Sequence, residues 1–440
     1  MAVKVCKFGG TSMADGNVIR TVKSIIEGDA SVRAVVVSAP GKRYSGDLKI
    51  TDVLYAAHCE LKRTGGVKNN FSVVRTRFEG IVKQLNLDLD ITAILDETER
   101  RILEEQNIDF TASRGEYLSA RVLSCVLGAE FIDAEDVIFF DEKGLLDDEK
   151  SYKAVSEALS SVRVAVIPGF YGRGANGKVK TFSRGGSDIS GAVVARAVNA
   201  TVYENWTDVS GFLACDPRIV DNPRRIKSLS YKELRELSYM GADVLHSESI
   251  FPVRKANIPI HIKNTFRPED EGTEIVPTSR FVTSGNTVTG IAGKKNFVVI
   301  YVEKSLMNSE IGFMRKVLSV VESEGVPLEH IPSGIDTISL VIPGDSLNEE
   351  KLNRITDGIR SSVRPDVLRV IKHVSLIATV GHGLSSAVGA AARLFKSVSE
   401  AGINVKMIDQ GTSELDIAIG VSDDDYERCI KAIYKEFFGK

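Results

Sequence analysis

The chain has 440 residues, a length that predicts two or three domains rather than one hydrophobic core. Its hydrophobic fraction of 43% and charged fraction of 26% are ordinary for a globular protein, and a net charge of −3 without a basic block argues against a general binder of nucleic acid or membrane surfaces. No apolar run approaches the roughly 18 residues of a membrane span, and no signal pattern opens the chain. The five cysteines form no Cys-x-x-Cys pair, so we expect neither a disulfide framework nor a zinc site. These features together predict a cytoplasmic protein.

The first motif lies at the start of the chain. An alternating apolar run from Val3 predicts a strand, Gly9-Gly10-Thr11-Ser12 ends it, and residues 17–26 predict a helix. Glycines let backbone N–H groups close around an anion, a helix N-terminus favours negative charge, and Lys7 adds a cation, which suggests a phosphate site. Taken alone, the motif fits a plain strand-to-turn corner slightly better, because it is neither a Walker A sequence nor a dinucleotide fingerprint.

Further elements are predicted along the next 250 residues. Strands are expected at 33–38, 129–133, 137–140, 162–168, 201–204 and 258–262, the last being the final strand of its domain before a linker at 266–284. Helices are expected from an N-cap at Thr51, over most of 71–107, and at 117–127, 189–200 and 229–245. Glu116 is expected at the start of the 117–127 helix, where an acid complements the helix dipole. Gly169-Phe170-Tyr171-Gly172 follows a buried strand, the position at which open α/β sheets bind ligands.

The most specific stretch is Thr181 to Asp188, which precedes the helix at 189–200. Arg184 is suited to clamp a carboxylate or phosphate, and Asp188 to contact a lysine or Mg²⁺. An ordinary helix entry needs one cap, so the whole set favours a ligand site. Trp206–Gly211 and Cys215–Arg218 form a second polar segment, which either frames a nucleotide or contains a simple Asp-Pro-Arg turn.

The last third of the chain contains a repeat. The segments around Gly325 and Gly402 match at an offset of 77 residues, which also relates Gly312 to Gly389 and residues 338–342 to 415–419. Two such units are too few for a solenoid. A pair of βαββ-type modules placed edge to edge fits better.

Together these motifs resemble the aspartate kinase family. The resemblance rests on residues 7–12, 183–188, 206–209, 216–218 and 241–246 in matching order and spacing, and on residues 407–411, which resemble the signature of that family's second ACT domain. It implies an α/β chain with the amino-acid-kinase fold, an open and mainly parallel sheet between helices, over residues 1–284. Two α+β ferredoxin-like ACT domains would follow at 297–372 and 373–440, the second completed by residues 287–295. We expect the monofunctional form.

The resemblance also implies a reaction, in which ATP phosphorylates the β-carboxylate of L-aspartate with Mg²⁺ held mainly by the ATP phosphates. Lys7 and Asp188 would be catalytic, with Lys7 neutralising the transferred phosphoryl group. Arg184 would bind the α-carboxylate of aspartate and Glu116 its amino group. The other implied aspartate-binding residues are Ser38, Thr51, Phe170 and Ser187, and the ATP-binding residues are Lys7, Gly9, Gly10, Ser12, Thr207, Asp208, Phe212, Asp216 and Arg218.

By the same resemblance, the first ACT domain would bind an inhibitory end-product amino acid, usually lysine and sometimes threonine, at an interface of a homodimer or homotetramer. The implied effector residues are Met307, Gly312, Phe313, Met314, Glu329 and Ser333. Ordinary core packing explains any one of Met307, Phe313 and Met314 taken alone.

The sequence departs from the family at two positions, since Ser247 stands where many relatives have proline and Asp243 where some have lysine. An acid cannot replace a lysine beside phosphates, so Asp243 is not assigned to the site, and His246 is interpreted as structural. Two alternatives remain: a kinase of another carboxylate substrate with the same fold, and a non-catalytic ACT-type amino-acid sensor. The pairing of Arg184 with Glu116 argues against the first, and the intact Lys7 and Asp188 argue against the second.

Overall fold

The computed structural model describes residues 2–183, 185–242, 245, 249–282 and 285–439. These residues divide into two compact units. The first takes in the chain up to 212 with 227–231 and the described residues from 245 to 281, and the second takes in 213–226, 232–242 and the described residues from 282 onward. Among the described helices, none is both long and apolar enough to cross a membrane.

Strands and helices alternate through the first part of the chain, as expected for an α/β fold. The strands are β1 Lys4–Phe8, β2 Val32–Val37, β3 Glu130–Phe131, β4 Ala165–Pro168, β5 Tyr171–Arg173, β6 Val179–Thr181, β7 Val202–Thr207, β8 Ser228–Ser230, β9 Ile260–Asn264 and β10 Thr273–Val276. The helices are α1 Gly16–Glu27, α2 Ile50–Thr64, α3 Lys68–Leu85, α4 Ile91–Glu105, α5 Ile108–Leu127, α6 Ala134–Val137, α7 Asp148–Leu159, α8 Gly186–Ala197, α9 Tyr231–Tyr239 and α10 Phe251–Lys255.

The first unit is built on one sheet. Within the described residues its strand order is β3-β4-β2-β1-β7-β9-β10-β8, and every neighbouring pair is parallel except β9 with β10. The central strands are apolar and buried, since they are covered by helices: α8 lies against β1, β2 and β7, and α5 against β2 and β4. The prediction of an open, mainly parallel sheet is confirmed.

The predicted beginnings of two helices were wrong. Helix α2 begins at Ile50 with Lys49 at its N-cap, so Thr51 lies inside the helix. Helix α5 begins at Ile108, nine residues earlier than predicted, with the Asn107 side chain accepting hydrogen bonds from the first turn. Glu116 therefore lies mid-helix and does not cap it. Gly115 looks like a helix breaker in the sequence, but a Cβ on it would lie 2.6 Å from Ala39 Cβ, so glycine here permits close packing.

Other local predictions also need correction. Residues 134–137 form α6, and the chain from 138 to 140 makes only isolated bridges instead of a strand. Residues 228–230 form β8 before a helix that ends at Tyr239, short of the predicted 229–245. The segment expected to be a linker, 266–284, contains β10, which pairs with both β9 and β8. The strand at 258–262 is therefore not the last of its domain. Tertiary pairing explains β10, because its sequence alone carries a weak strand signal.

The second unit contains an antiparallel sheet. Its strands are β11 Gly290–Glu303, β12 Thr337–Pro343, β13 Val367–Val380, β14 Met407–Asp409 and β15 Asp416–Ser422, and its helices after residue 285 are α11 Phe313–Ser323, α12 Glu349–Val363, α13 Ala390–Glu400 and α14 Tyr426–Phe438. Within the described residues the order is β12-β11-β13-β15-β14. Residues 297–303 of β11 pair with β12 and with 367–374, whereas residues 290–294 pair with 376–380.

The internal repeat is present in this unit. Helices α11 and α13 begin 77 residues apart, each after a glycine with positive φ at its N-cap, Gly312 and Gly389. The predicted βαββ unit was incomplete, because each repeat also contains a later helix, α12 or α14. The strand expected after Gly325 is reduced to isolated bridges of His330 and Ser333, whereas the matching strand of the second repeat is β14.

Candidate functional site

Five strands of the first unit end at the same edge of the sheet. The segments that follow them are joined by backbone hydrogen bonds: Gly9 N donates to Trp206 O at 2.9 Å, Ser38 N to Phe8 O at 3.1 Å, Gly169 N to Val37 O at 2.9 Å, and Thr265 N to Thr207 O at 2.9 Å. The polar loops that the sequence placed after β1, β2, β4 and β7 therefore meet in one place, together with the loop after β9. A carboxyl-end edge of this kind is where α/β sheets bind ligands.

An ion pair lies at the centre of this edge. Lys7, on β1, places Nζ 2.7 Å from Oδ1 of Asp188, which lies in the first turn of α8. Both side chains are largely buried, with 10% and 17% of their surface exposed. Gly185, with a φ of +58°, caps this helix and turns the chain into it. The structure thus brings the two predicted catalytic residues into direct contact.

Asn205 holds Asp188 in place. Its Nδ2 donates to Oδ1 of Asp188 at 2.9 Å, and the hydroxyl of Tyr203 donates to the Asp188 carbonyl at 3.2 Å. Tyr203 and Asn205 point to the same face of β7, and Asn205 lies opposite Lys7 in the register with β1. Asn205 was missed in the sequence, where only its place one residue before Trp206-Thr207-Asp208 hinted at a role.

The glycine loop after β1 is shaped by two contacts. The Ser12 hydroxyl lies 2.8 Å from the Thr265 hydroxyl in a buried position, and Gly41 N donates to Gly10 O at 2.7 Å. A Cβ on Gly41 would lie 2.7 Å from Gly10 C, so the two backbones approach more closely than any other residue permits. Gly9 and Gly10 thus lie between strand β1 and the loop after β2, with Lys7 beside them.

A charged cluster anchors the loop that contains Gly41. Arg77, buried on α3, donates to Gly41 O at 2.9 Å and to Oδ2 of Asp47 at 2.8 Å. Arg43 also binds Asp47, at 2.8 and 2.9 Å. The hydrogen bonds from Arg43, aided by the charge of Arg77, hold the pKa of Asp47 well below its usual range despite burial. This cluster fixes the loop that supports the glycines.

Glu116 is a buried carboxyl group at the same edge. It is 4% exposed, and burial raises its pKa to about 8, although backbone N–H groups at Ala39 and its own position and the charges of Arg114 and Lys7 oppose the rise. Its Oε2 has no hydrogen-bond partner among the residues that the structure describes. A buried, unpaired carboxyl oxygen is costly in a native fold and is typical of a position that receives a cationic ligand group.

The remaining predicted aspartate-binding residues are placed as follows. Ser38 follows β2, and Thr51 lies in the first turn of α2, whose Ile50 and Leu54 contact the Gly115 position. Phe170 has a φ of +78° and is fixed by its N–H, which donates to the Ser190 hydroxyl at 3.0 Å. Ser187 abuts Gly169, where an added Cβ would lie 2.7 Å away. Arg184 lies outside the described residues, as do Asp243, His246 and Ser247.

The predicted nucleotide residues fall into two groups. Thr207 and Asp208 end β7 in the first unit, with Asn264 donating to the Asp208 carbonyl at 3.4 Å. Phe212, also in the first unit, has a side chain that is 1% exposed. Asp216 and Arg218 belong to the second unit, where their side chains pair with each other at 2.6 Å. The structure therefore does not bring all five together in one unit.

The predicted effector residues lie in the second unit. Met307 and Phe313 are buried in the core of the first repeat, Gly312 is the N-cap of α11, and Met314 is partly exposed. Glu329 donates its backbone N–H to Val341 O at 2.9 Å, and Ser333 bridges to Ile338. Burial and a hydrogen bond to the Glu329 carboxylate raise the pKa of Tyr239. Gly312, Phe313 and Met314 therefore lie at the start of α11. Met307 precedes this helix in the chain, and Glu329 and Ser333 follow it.

Within the described residues, no group of three or more His, Cys, Asp or Glu side chains is arranged to hold a metal ion. Asp188 lies near the glycine loop through its ion pair with Lys7, and its Oδ1 already binds Lys7 and Asn205. This set fits Mg²⁺ only as an ion that enters with a nucleotide and is held mainly by phosphate oxygens.

Comparison with known proteins gives two family matches. Residues 2–264 match the amino acid kinase family, and residues 377–437 match an ACT domain family. The first match covers the strands, loops and helices that form the edge described above.

Whole-chain relatives are also found. Aspartokinase 3 of Bacillus subtilis is 36% identical over 450 residues, covering 99% of both chains, and the chloroplastic aspartokinase 1 of Arabidopsis thaliana is 29% identical, covering 99% of this chain and 80% of the relative. The crystal structure of Clostridium acetobutylicum aspartate kinase matches with a TM-score of 0.91 at 48% identity, covering 99% of this chain and all of that one. Escherichia coli aspartokinase III, solved with aspartate and ADP, shares the fold with a TM-score of 0.77 at 23% identity, covering 99% of this chain and all of that one.

Proposed function

Because the chain belongs to the aspartokinase family of enzymes, we propose that it transfers the γ-phosphoryl group of ATP to the β-carboxylate of L-aspartate. The product is 4-phospho-L-aspartate. The reaction would be the first step in the biosynthesis of lysine, threonine and methionine, carried out in the cytoplasm.

Lys7 carries the charge stabilisation in this proposal. Phosphoryl transfer depends mainly on positioning the reactants and on neutralising the charge of the phosphoryl group in transit. The Lys7 ammonium stands at the glycine loop, held 2.7 Å from Asp188, so it is oriented before ATP binds. Gly9, Gly10 and Ser12 would offer backbone N–H groups and a hydroxyl to the phosphate oxygens. The β-carboxylate nucleophile needs no general base, because it is ionised at neutral pH.

The choice of aspartate as substrate rests on Glu116. Its buried carboxyl group, with one oxygen that has no partner among the described residues, is the observation that carries the proposal, because an α-ammonium group would supply a partner. Arg184 would bind the α-carboxylate, which leaves the β-carboxylate to react. Ser38, Thr51, Phe170 and Ser187 would complete the pocket.

Thr207, Asp208, Phe212, Asp216 and Arg218 would bind the nucleotide. Mg²⁺ would enter with ATP and supply charge neutralisation at the phosphates, near the ion pair of Lys7 and Asp188. The buried side chain of Phe212 suits a role for its backbone rather than its ring.

Regulation would reside in the ACT repeats. We propose that lysine, or threonine, inhibits the enzyme by binding at Met307, Gly312, Phe313, Met314, Glu329 and Ser333, with Glu329 receiving the amino group. The ACT domain match covers residues 377–437, in the second repeat. The proposed effector residues lie in the first repeat, which is related to the second by the offset of 77 residues. A homodimer or homotetramer would form through these domains.

A hydroxylamine trap distinguishes this proposal from the alternatives. Acyl phosphates react with hydroxylamine to give hydroxamates, so ATP, Mg²⁺ and a panel of aspartate, glutamate and N-acetylglutamate report the substrate. We expect hydroxamate from aspartate alone. A preference for another acid would indicate a different kinase of the same fold, and no product from any would indicate a non-catalytic sensor.

A further inference from the structure

A second cluster of charged groups lies between helices α4 and α5, and none of its residues is among those proposed to bind aspartate or ATP. It lines a cavity of about 350 Å³. The lining residues recur at helical spacing on one face of each helix, Ala93, Ile94, Glu97, Thr98 and Arg101 on α4 and Phe110, Arg114, Tyr117 and Arg121 on α5. Three arginines therefore face one small cavity.

Arg114 is the most unusual of the three. It is 1% exposed and sits among aromatic rings, with Cζ 4.2 Å from the centroid of Phe110, 4.8 Å from Tyr117 and 5.0 Å from Tyr171. Its hydrogen bonds go to neutral acceptors, from Nε to Phe110 O at 3.2 Å and from Nη2 to the Ser113 hydroxyl at 2.9 Å. Burying a guanidinium is costly unless an anion compensates it, and π faces and neutral oxygens compensate only in part.

The other two arginines are placed to share a ligand with it. Arg101 Cζ lies 4.5 Å from the same Phe110 centroid, so the guanidinium carbons of Arg101 and Arg114 are less than about 9 Å apart. One oxyanion can span up to about 8 Å between two guanidinium carbons, because each carbon stands about 4 Å from the central atom of the oxyanion it binds. To share it, the two arginines must reach it on the same side of the Phe110 ring. Arg121 stacks on Phe131 at 5.1 Å and forms no ion pair within 4.0 Å in the described part of the chain.

Most acids around the cavity already have a partner, but Glu135 lies near enough to Arg101 and Arg114 to interact with both charges. Glu97 pairs with Arg100 at 2.6 Å, and Arg101 reaches Glu105 at 2.7 Å. Asp133 accepts hydrogen bonds from the Tyr171 hydroxyl at 2.8 Å and from Glu135 N at 3.1 Å. The lining itself holds three arginines and one acid, so it carries a net positive charge.

We propose that this cavity is a binding site for a small oxyanion, a phosphate or carboxylate group on a small molecule, held by Arg101, Arg114 and Arg121. Its volume lies at the small end of known ligand pockets and suits a compact metabolite. Phe110 and Tyr117 would contact the apolar part of such a molecule. The inference is independent of the proposed substrate.

Calorimetric titration of the full chain with inorganic phosphate and with succinate tests the site. ADP, Mg²⁺ and aspartate are present at saturating concentrations, so that the proposed aspartate and ATP sites are already filled. Two variants, Arg121→Gln and Arg101→Gln, each remove one guanidinium, and Arg63→Gln, an exposed arginine on α2 that does not line the cavity, removes the same charge elsewhere. Chloride at equal ionic strength measures general screening.

We expect phosphate or succinate to bind, and each cavity variant to weaken binding about tenfold, the effect of losing one charge-assisted hydrogen bond, with Arg63→Gln unchanged. Which of the two anions binds more tightly identifies the oxyanion class. Equal binding by the wild type and all three variants, or an equal response to chloride, would overturn the proposal. The absence of any binding would also overturn it, because Asp133 and Glu135 would then already balance the charges of the arginines.

Discussion

The ammonium group of Lys7 lies 2.7 Å from Oδ1 of Asp188, and the same oxygen accepts a hydrogen bond from Asn205 at 2.9 Å. Lys7 lies near the end of the central strand β1, Asp188 lies in the first turn of α8, and Asn205 lies on the neighbouring strand β7. Three elements far apart in sequence therefore fix one cation beside the glycine loop. A preorganised charge of this kind lowers a phosphoryl-transfer barrier without reorganising during the reaction.

Lys7→Ala should lower kcat about 10³-fold, because a charge contact made in the transition state is worth several kcal/mol. Lys4→Ala is the matched control on the same strand, since Lys4 pairs with Asp29 and Glu204 and lies away from the glycine loop. Steady-state kinetics of both variants check the prediction. A kcat near that of the wild type in Lys7→Ala would remove Lys7 from the mechanism.

Glu116→Gln should raise the KM for aspartate about 10- to 100-fold and leave the KM for ATP unchanged, because one charge-assisted hydrogen bond to the substrate is lost. The wild-type KM for aspartate should fall as the pH rises towards about 8, since the carboxyl group must ionise to receive an ammonium group. That pH dependence should vanish in the variant. A parallel pH dependence in both proteins would contradict the role.

The same carboxyl group affects stability. Its folded-state pKa of about 8 exceeds the ordinary value of 4.5, so the folded state holds the proton more tightly, and stability present at low pH is lost as the pH rises between these values. Without ligands, Glu116→Gln should therefore gain stability relative to the wild type over this range. Denaturant unfolding at several pH values measures the difference. A constant difference would show that Glu116 titrates normally.

Arg184→Ala should mainly weaken aspartate binding, because the α-carboxylate loses a bidentate partner, while ATP binding stays nearly unchanged. Isothermal titration with each ligand separates the two effects. Equal losses for aspartate and ATP would mean that the assignment of Arg184 to the amino acid is wrong.

Gly41→Ala should impair ATP binding although Gly41 is outside the predicted nucleotide set. The added methyl group would lie 2.7 Å from Gly10 C and 2.9 Å from Thr11 N, so the glycine loop must shift. We expect the KM for ATP to rise at least tenfold, about 1.4 kcal/mol. Gly66→Ala is the control, since nothing lies within 4 Å of its position. If both variants behave like the wild type, Gly41 does not shape the loop.

Glu329→Gln should raise the lysine concentration needed for half-maximal inhibition at least tenfold, with uninhibited kinetics preserved, because an amino group would lose its charged partner. Glu322→Gln, an exposed acid on α11, is the control. Inhibition curves for the three proteins decide the matter. Unchanged inhibition in Glu329→Gln would place the effector elsewhere.

Much of the site could be predicted because its chemistry is local. Lys7 lies near the end of one strand, Gly9 and Gly10 follow it directly, and Asp188 lies in the first turn of the helix that includes the second glycine of the Arg-Gly-Gly stretch. Such residue types at strand ends carry a ligand preference whatever surrounds them. Their mutual distances could not be predicted, because they depend on which strands become neighbours.

The missed residues act through tertiary contacts. Thr265 supports Ser12, but the strand that precedes it was predicted to end at 262, and Thr265 itself was given no role. Asn205 reads as one more residue of a buried strand, and only its register opposite Lys7 reveals its role. Glu116 was assigned to the site, but its helix was predicted to begin after it, whereas α5 begins at Ile108 and Gly115 lets it pack against Ala39. In each case the deciding contact joins residues far apart in sequence.

The proposed activity requires the β-carboxylate of aspartate to accept a phosphoryl group from ATP. The sharpest measurement incubates the protein with ATP, Mg²⁺ and aspartate carrying ¹³C in its β-carboxyl group, traps the product with hydroxylamine, and locates the hydroxamate by NMR. We expect hydroxamate at the labelled carbon and one ADP for each hydroxamate formed. ADP without labelled hydroxamate, or a hydroxamate at the α-carboxyl group, would rule out this activity.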